Sequence, residues 1–170
     1  VEQQVQLLGV MQLRRFVPEA DQVGLAGHVG DVGRDPRALG HAVGLPFEAM
    51  LDGRWDDCVD IAKQQSRDGA HVLDVCVDYV GRDGVADMSE LASRLATAVP
   101  LPVMLDSTEP AVLKAGLERL AGRSVVNSVN FEDGDGPDSR YAKVMPLVVE
   151  HGAAVVALTI DEEGQARTAE

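Results

Sequence analysis

The stretch Leu101–Asn130, LPVMLDSTEPAVLKAGLERLAGRSVVNSVN, restricts the possible folds of this chain more than any other. It reads as strand, helix, strand. Val103-Met104-Leu105 is an apolar run too short for a helix, and it suits a strand covered on both faces. Thr108, Glu109 and Pro110 form a helix-start signal. Val112, Leu113, Leu117 and Leu120 then recur at helical spacing, and Gly122 stops the element. Roughly twenty residues separate Asp106 from Asn127, the length of one βα unit in a parallel sheet. Each strand thus ends on a side chain able to grip a polar heterocycle.

The same alternation continues on both sides. Trp55–Arg67 predicts a helix with Trp55, Cys58, Ile61, Ala62 and Gln65 on one side and Gly69 as its stop. His71–Asp78 predicts a strand in which Asp74, Cys76 and Asp78 share one face and Leu73, Val75 and Val77 the other. Three polarisable side chains in a row suit the inside of a barrel or the edge of a cleft. A helix is expected to open at Asp87, and another, capped by Asp138, to follow the acidic loop FEDGDGPD, with Pro146 imposing a kink or a late start. Ala153–Ile160 predicts a fourth strand, with Asp161 at its end. Asp78, Asp106, Asn127 and Asp161 therefore all stand at C-terminal strand ends, the functional end of parallel α/β folds.

Residues 1–46 have a different character. Of 28 acids and 15 bases in the chain they hold 5 and 4, which leaves 23 and 11 for residues 47–170. That shift puts a boundary near Phe47. Gln3–Arg15 predicts a short helix with Val5, Leu8 and Met11 on one face. Gly24, Gly27, Gly30 and Gly33 follow at a period of three, without the proline of a collagen repeat or the spacing of a GxGxxG phosphate loop. The expectation is a flexible, poorly ordered N-terminal segment over 1–46 and a folded unit over 47–170.

A net charge of -13 argues against a nucleic-acid backbone as partner. No apolar run approaches the ~18 residues of a membrane span, and the first fifteen residues lack a signal-peptide pattern. Cys58 and Cys76 fall in separate elements outside any Cys-rich motif, which predicts a reducing, cytoplasmic setting. His28, His41, His71 and His151 are scattered, so no metal site is expected.

The segments LDVCVD, PVMLDST, VVNSVNFEDG and GAAVVALTIDEEGQA, in this order and spacing, resemble the pterin-binding domain of cobalamin-dependent methionine synthase over about residues 47–170. The resemblance implies a (β/α)8 barrel of the TIM type, of which this chain would carry about four βα units. It implies 5-methyltetrahydrofolate as methyl donor and cobalamin, held on a separate module, as acceptor. Asp106 matches the strand-end Asp that pairs with the pterin ring, Asn127 the Asn of the VNS motif, and Asp161 the Asp of the pterin pocket. Asp74 and Asp78 match the acids of an Asp-x-Asn-x-Asp motif in which Cys76 replaces the Asn. The motif Gly-Glu-Arg-Thr-Asn of the first strand has no counterpart, since residues 38–46 read ALGHAVGLP.

The chemistry agrees with that assignment. A pterin offers neighbouring N–H and amino donors, which a carboxylate accepts as a two-point, charge-assisted pair. An Asn side chain supplies one donor and one acceptor to an alternating ring edge. Methyl loss from N5 requires that nitrogen to be protonated or hydrogen-bonded, and general-acid help contributes roughly 10²–10⁴-fold. The resemblance gives Asp161 and Asn127 that duty, as proton donor or as members of a proton network. Two other outcomes are open at this stage. One is a catalytically inactive fragment that binds pterin weakly or not at all. The other is an open-sheet, flavodoxin-like binding module, recognisable by a reversal in strand order.

Overall fold

A computed structural model of the chain describes residues 14–15 and 48–166. The elements run β1 (Arg14–Arg15), a helical turn over 48–51, α1 (Trp55–Arg67), β2 (Leu73–Cys76), α2 (Gly84–Ala98), β3 (Val103–Asp106), α3 (Pro110–Leu117), β4 (Val125–Val129), α4 (Arg140–Glu150), β5 (Ala154–Ala157), β6 (Ile160–Asp161) and β7 (Gly164–Gln165). Most of residues 1–46, with the glycine-rich stretch and nearly all of the helix expected over Gln3–Arg15, lies outside the described residues. Arg14 and Arg15 themselves are strand, paired antiparallel with β2.

Strands β2 to β5 form a parallel sheet in which spatial order equals chain order. No reversal occurs among them, so the open flavodoxin-like alternative does not describe this chain. Sequential parallel strands joined by helices are the arrangement of a (β/α)8 barrel, and the described residues hold four of its eight strands.

Period-two alternation decides which face of the sheet is dry. Leu73, Val75, Val77, Leu105 and Val126 are buried to the last percent and pack with Met88, Leu91, Leu95 and Leu113 of α2 and α3. Each such side chain contributes ~1.5–3 kcal/mol relative to exposure. The alternate positions on the other face, Cys76, Met104, Asp106, Val125, Asn127, Ala154 and Val156, are only half-buried.

Four expectations need correction. Helix α2 starts at Gly84, capped by Asp83, whose side chain accepts from Ala86 N–H at 3.0 Å. Asp87 is instead turned inward, 6% exposed, with Arg82 Nη2 donating to its Oδ1 at 2.7 Å. Helix α4 is capped by Ser139, which accepts from Ala142 N–H at 3.1 Å, rather than by Asp138. It begins at Arg140 and runs through Pro146, so there is no late start. Finally, the run Ala153–Ile160 is not one strand. Strand β5 ends at Ala157, and Ile160–Asp161 pairs with Gly164–Gln165 in a separate hairpin. Phe131 N–H donates to the Ile160 carbonyl at 2.9 Å and holds that segment over the β4–α4 loop.

Candidate pterin site

Register places the site. Cys76 pairs with Asp106, Asp106 with Asn127, and Asn127 with Val156, so these four residues form one row across the C-terminal ends of β2 to β5. Neighbouring strands lie about 4.8 Å apart, which puts the bases of the Asp106 and Asn127 side chains side by side on the half-buried face. The ladder shifts between Asn127 and Val129, just beyond that row. The Asn127 side chain is half-buried and makes no hydrogen bond among the described residues.

The row is electrostatically negative. Burial, first of all, pushes the Cys76 thiol up to about 12, and the carboxylates of Asp106, Asp78 and Asp74 push it the same way. Cys76 is therefore a neutral thiol amid acids, unsuited to nucleophilic work. Asp74 lies one step lower, in the row of Met104, Val125 and Ala154, and is 2% exposed.

Asp78 is engaged by the loop after β3. Its Oδ1 accepts from Ser107 Oγ at 2.6 Å, and its Oδ2 accepts from Thr108 N–H at 2.7 Å and Thr108 Oγ1 at 3.0 Å. Three protein donors thus occupy a carboxylate that sequence reasoning assigned to ligand.

Asp161 stands apart from the row. It is exposed at the end of β6, and its Oδ1 accepts from Glu163 N–H at 2.9 Å in the hairpin turn. With Phe131, Gly134, Asp135 and Glu162 it lines a concavity of about 240 Å³. Gly134 adopts φ 75°, a conformation that favours glycine over residues with a Cβ. Another concavity of about 280 Å³ lies between Asp78, Arg82, Thr108 and Val112. A cavity of about 320 Å³ beside Pro100, Leu101, Leu120 and Ser124 opens at the opposite, N-terminal ends of the strands, away from every residue named above.

Sequence reasoning missed Arg140. Its guanidinium donates to three main-chain carbonyls: Ser128 at 2.9 Å, Thr108 at 2.9 Å and Ser107 at 2.8 Å. Its backbone N–H donates to Asp133 Oδ2 at 2.8 Å. A cation in the first turn of a helix opposes the helix dipole, and that mismatch was the available signal. No cluster of three or more metal-ligating side chains exists among the described residues, and none of their helices is long and apolar enough to cross a membrane.

The chain is similar in sequence to known proteins. Residues 47–170 match the family described as pterin binding enzyme. A methionine synthase of Mycobacterium tuberculosis (strain ATCC 25618 / H37Rv) is 74% identical over 123 residues, covering 72% of this chain and 10% of the relative. A methionine synthase of Mycobacterium leprae (strain TN) is 70% identical over 123 residues, with the same coverage. The chain spans about a tenth of the length of these curated relatives. With a family match over most of its length and acid and amide side chains aligned at the C-terminal ends of sequential parallel strands, the chain belongs to the pterin binding enzymes.

Proposed function

We propose that residues 47–170 are the pterin-binding part of a methyltransferase of the methionine synthase type, with 5-methyltetrahydrofolate as ligand, and that residues 1–46, apart from Arg14–Arg15, which pair with β2, are a separate segment. The observation that carries the proposal is the paired register of Asp106 and Asn127. A carboxylate and a carboxamide side by side can meet the donor and alternating edges of one flat heterocycle.

In this reading Asp106 accepts from the pterin ring N–H and amino group, and Asn127 orients the ring and supports the proton at N5. Asp161 approaches the same end of the sheet on its hairpin and serves N5 directly or through water. Asp74, buried one row below, contributes negative potential from underneath, and Asp78 contributes by holding the loop that follows Asp106. Cobalamin, on a separate module, would supply a strongly nucleophilic methyl acceptor. The chain by itself is therefore expected to bind pterin without turnover. The setting consistent with Cys58 and Cys76 lying in separate elements, their thiols raised by burial, and with an acidic surface is the cytoplasm.

Calorimetric titration of the 170-residue chain with 5-methyltetrahydrofolate tests the proposal. Saturable binding is expected, weakened about 30-fold or more in D106A, the loss of a charged hydrogen-bonding partner worth ~2–3 kcal/mol. Equal affinity of D106A and the unsubstituted chain would remove Asp106 from the site.

A further inference from the structure

We propose that Arg140 is a positioning residue that ties the loop after Asp106 to the loop after Asn127 and so fixes how the ends of that paired row are presented; the proposal rests on the pterin reading for its purpose, though not for its geometry. One guanidinium spans two loops. Nη2 and Nη1 donate to the carbonyls of Ser107 and Thr108, the two residues directly after Asp106. Nε donates to the carbonyl of Ser128, the residue directly after Asn127. The bonds on the β3 side reach 33 and 32 residues back along the chain, and the bond on the β4 side reaches 12.

The remaining contacts make this a fixed brace. Asp133 accepts from Arg140 N–H at 2.8 Å, so a carboxylate holds the first residue of α4 and offsets the cation at the positive end of the helix dipole. Ser139 caps the same turn, which fixes where the guanidinium starts from. On the far side of the β3–α3 loop, Asp78 takes the N–H of Thr108 while Arg140 takes its carbonyl. The loop after Asp106 is thus gripped by an anion on its donor side and a cation on its acceptor side. A planar fork of five N–H donors can serve three carbonyls at once, whereas an ammonium is a point donor. The ladder between β3 and β4 ends at the Asp106–Asn127 row, so it does not reach the two loops that follow. Beyond it, Arg140 supplies the tie between the two loops.

Amide NMR of the free chain reads this geometry without ligand. In R140K and R140Q the resonances of 106–108 and 127–129, and the Asn127 side-chain amide, are expected to move, while Lys143→Gln leaves them in place. Pterin affinity in both Arg140 variants is expected to fall about 10- to 100-fold, the range for groups that orient a binding residue. Wild-type positions for those resonances, or unchanged affinity in R140K, would overturn the proposal. In the unsubstituted chain the Arg140 Nε–H is expected to exchange slowly with solvent; exchange as fast as a free arginine overturns the brace even where every variant unfolds. Shifted resonances in a chain that binds no pterin at all would keep the brace and discard the pterin reading.

Discussion

Asp78 and Thr108, 30 residues apart, are joined twice: the Thr108 N–H and hydroxyl both donate to one Asp78 carboxylate oxygen, at 2.7 and 3.0 Å. The other oxygen receives the hydroxyl of Ser107, which is 2% exposed. The C-terminal end of β2 therefore holds the loop that follows β3.

Removing that carboxylate takes the short acceptor from the buried Ser107 hydroxyl, leaving it only Glu109, whose N–H donates to it at 3.0 Å and whose carbonyl lies 3.5 Å away, and frees an exposed N–H. D78A is expected to cost about 1–3 kcal/mol, most of it from Ser107. D78N keeps one acceptor but turns a donor toward the donors of the loop, so it is expected to behave like D78A rather than like the parent. Urea unfolding of the three chains checks this, and a D78N midpoint equal to the parent's would mean that the charge does not matter.

The packing between α3 and the sheet leaves no room at Gly116. A Cβ there would lie 2.7 and 2.9 Å from the two Leu105 methyls and 3.0 Å from Met88 Cγ. Leu105 and Met88 are both fully buried, so neither can swing into solvent. G116A gains helix propensity of up to ~1 kcal/mol, yet overpacking of ~1–3 kcal/mol outweighs it. The expected result is a lower thermal midpoint, and a rise would show that α3 slides outward at little cost.

The two thiols should be silent at ordinary pH. Burial is the chief cause of both shifts: Cys58 is raised from 9.0 to about 11, with help from Asp57, and Cys76 from 9.0 to about 12. A raised thiol pKa favours the folded state fully below the unfolded value and progressively less as pH climbs through the folded one. Stability linked to these groups is therefore expected to decline from about pH 9 toward pH 12, and not on the acid side. Iodoacetamide at about pH 8 should label the native chain far more slowly than the urea-unfolded chain. Equal rates would place the thiols in open solvent.

Much of this architecture is written locally. The spacing from Asp106 to Asn127 is one βα unit and appears as the sequence implies, whereas the expected strand His71–Asp78 is only Leu73–Cys76, and Asp74, expected on the polar face with Cys76 and Asp78, is as dry as Leu73 and Val75. Cap positions were less legible, because Asp138 and Ser139, or Asp83 and Asp87, offer similar oxygens a few residues apart. The choice between them fell to tertiary contacts, with Arg82 drawing Asp87 inward. The strand break after Ala157 lies within a run in which only Thr159 is polar, and the Phe131–Ile160 bond that holds the segment beyond it joins residues 29 apart. Arg140 left only the trace of a cation at the wrong end of a helix, since its acceptors are main-chain carbonyls that carry no residue signature.

Strict agreement between chain order and strand order also bears on how the site comes into being. Each strand of the parallel sheet pairs with its immediate predecessor, so each closure spans a single βα unit and no parallel pairing skips a strand. Asp106 and Asn127 are brought together by a single such closure. The Asp106–Asn127 pair can thus be organised as soon as β4 docks on β3, with the braces from Asp78 and Arg140 tightening the loops around a pair already in place.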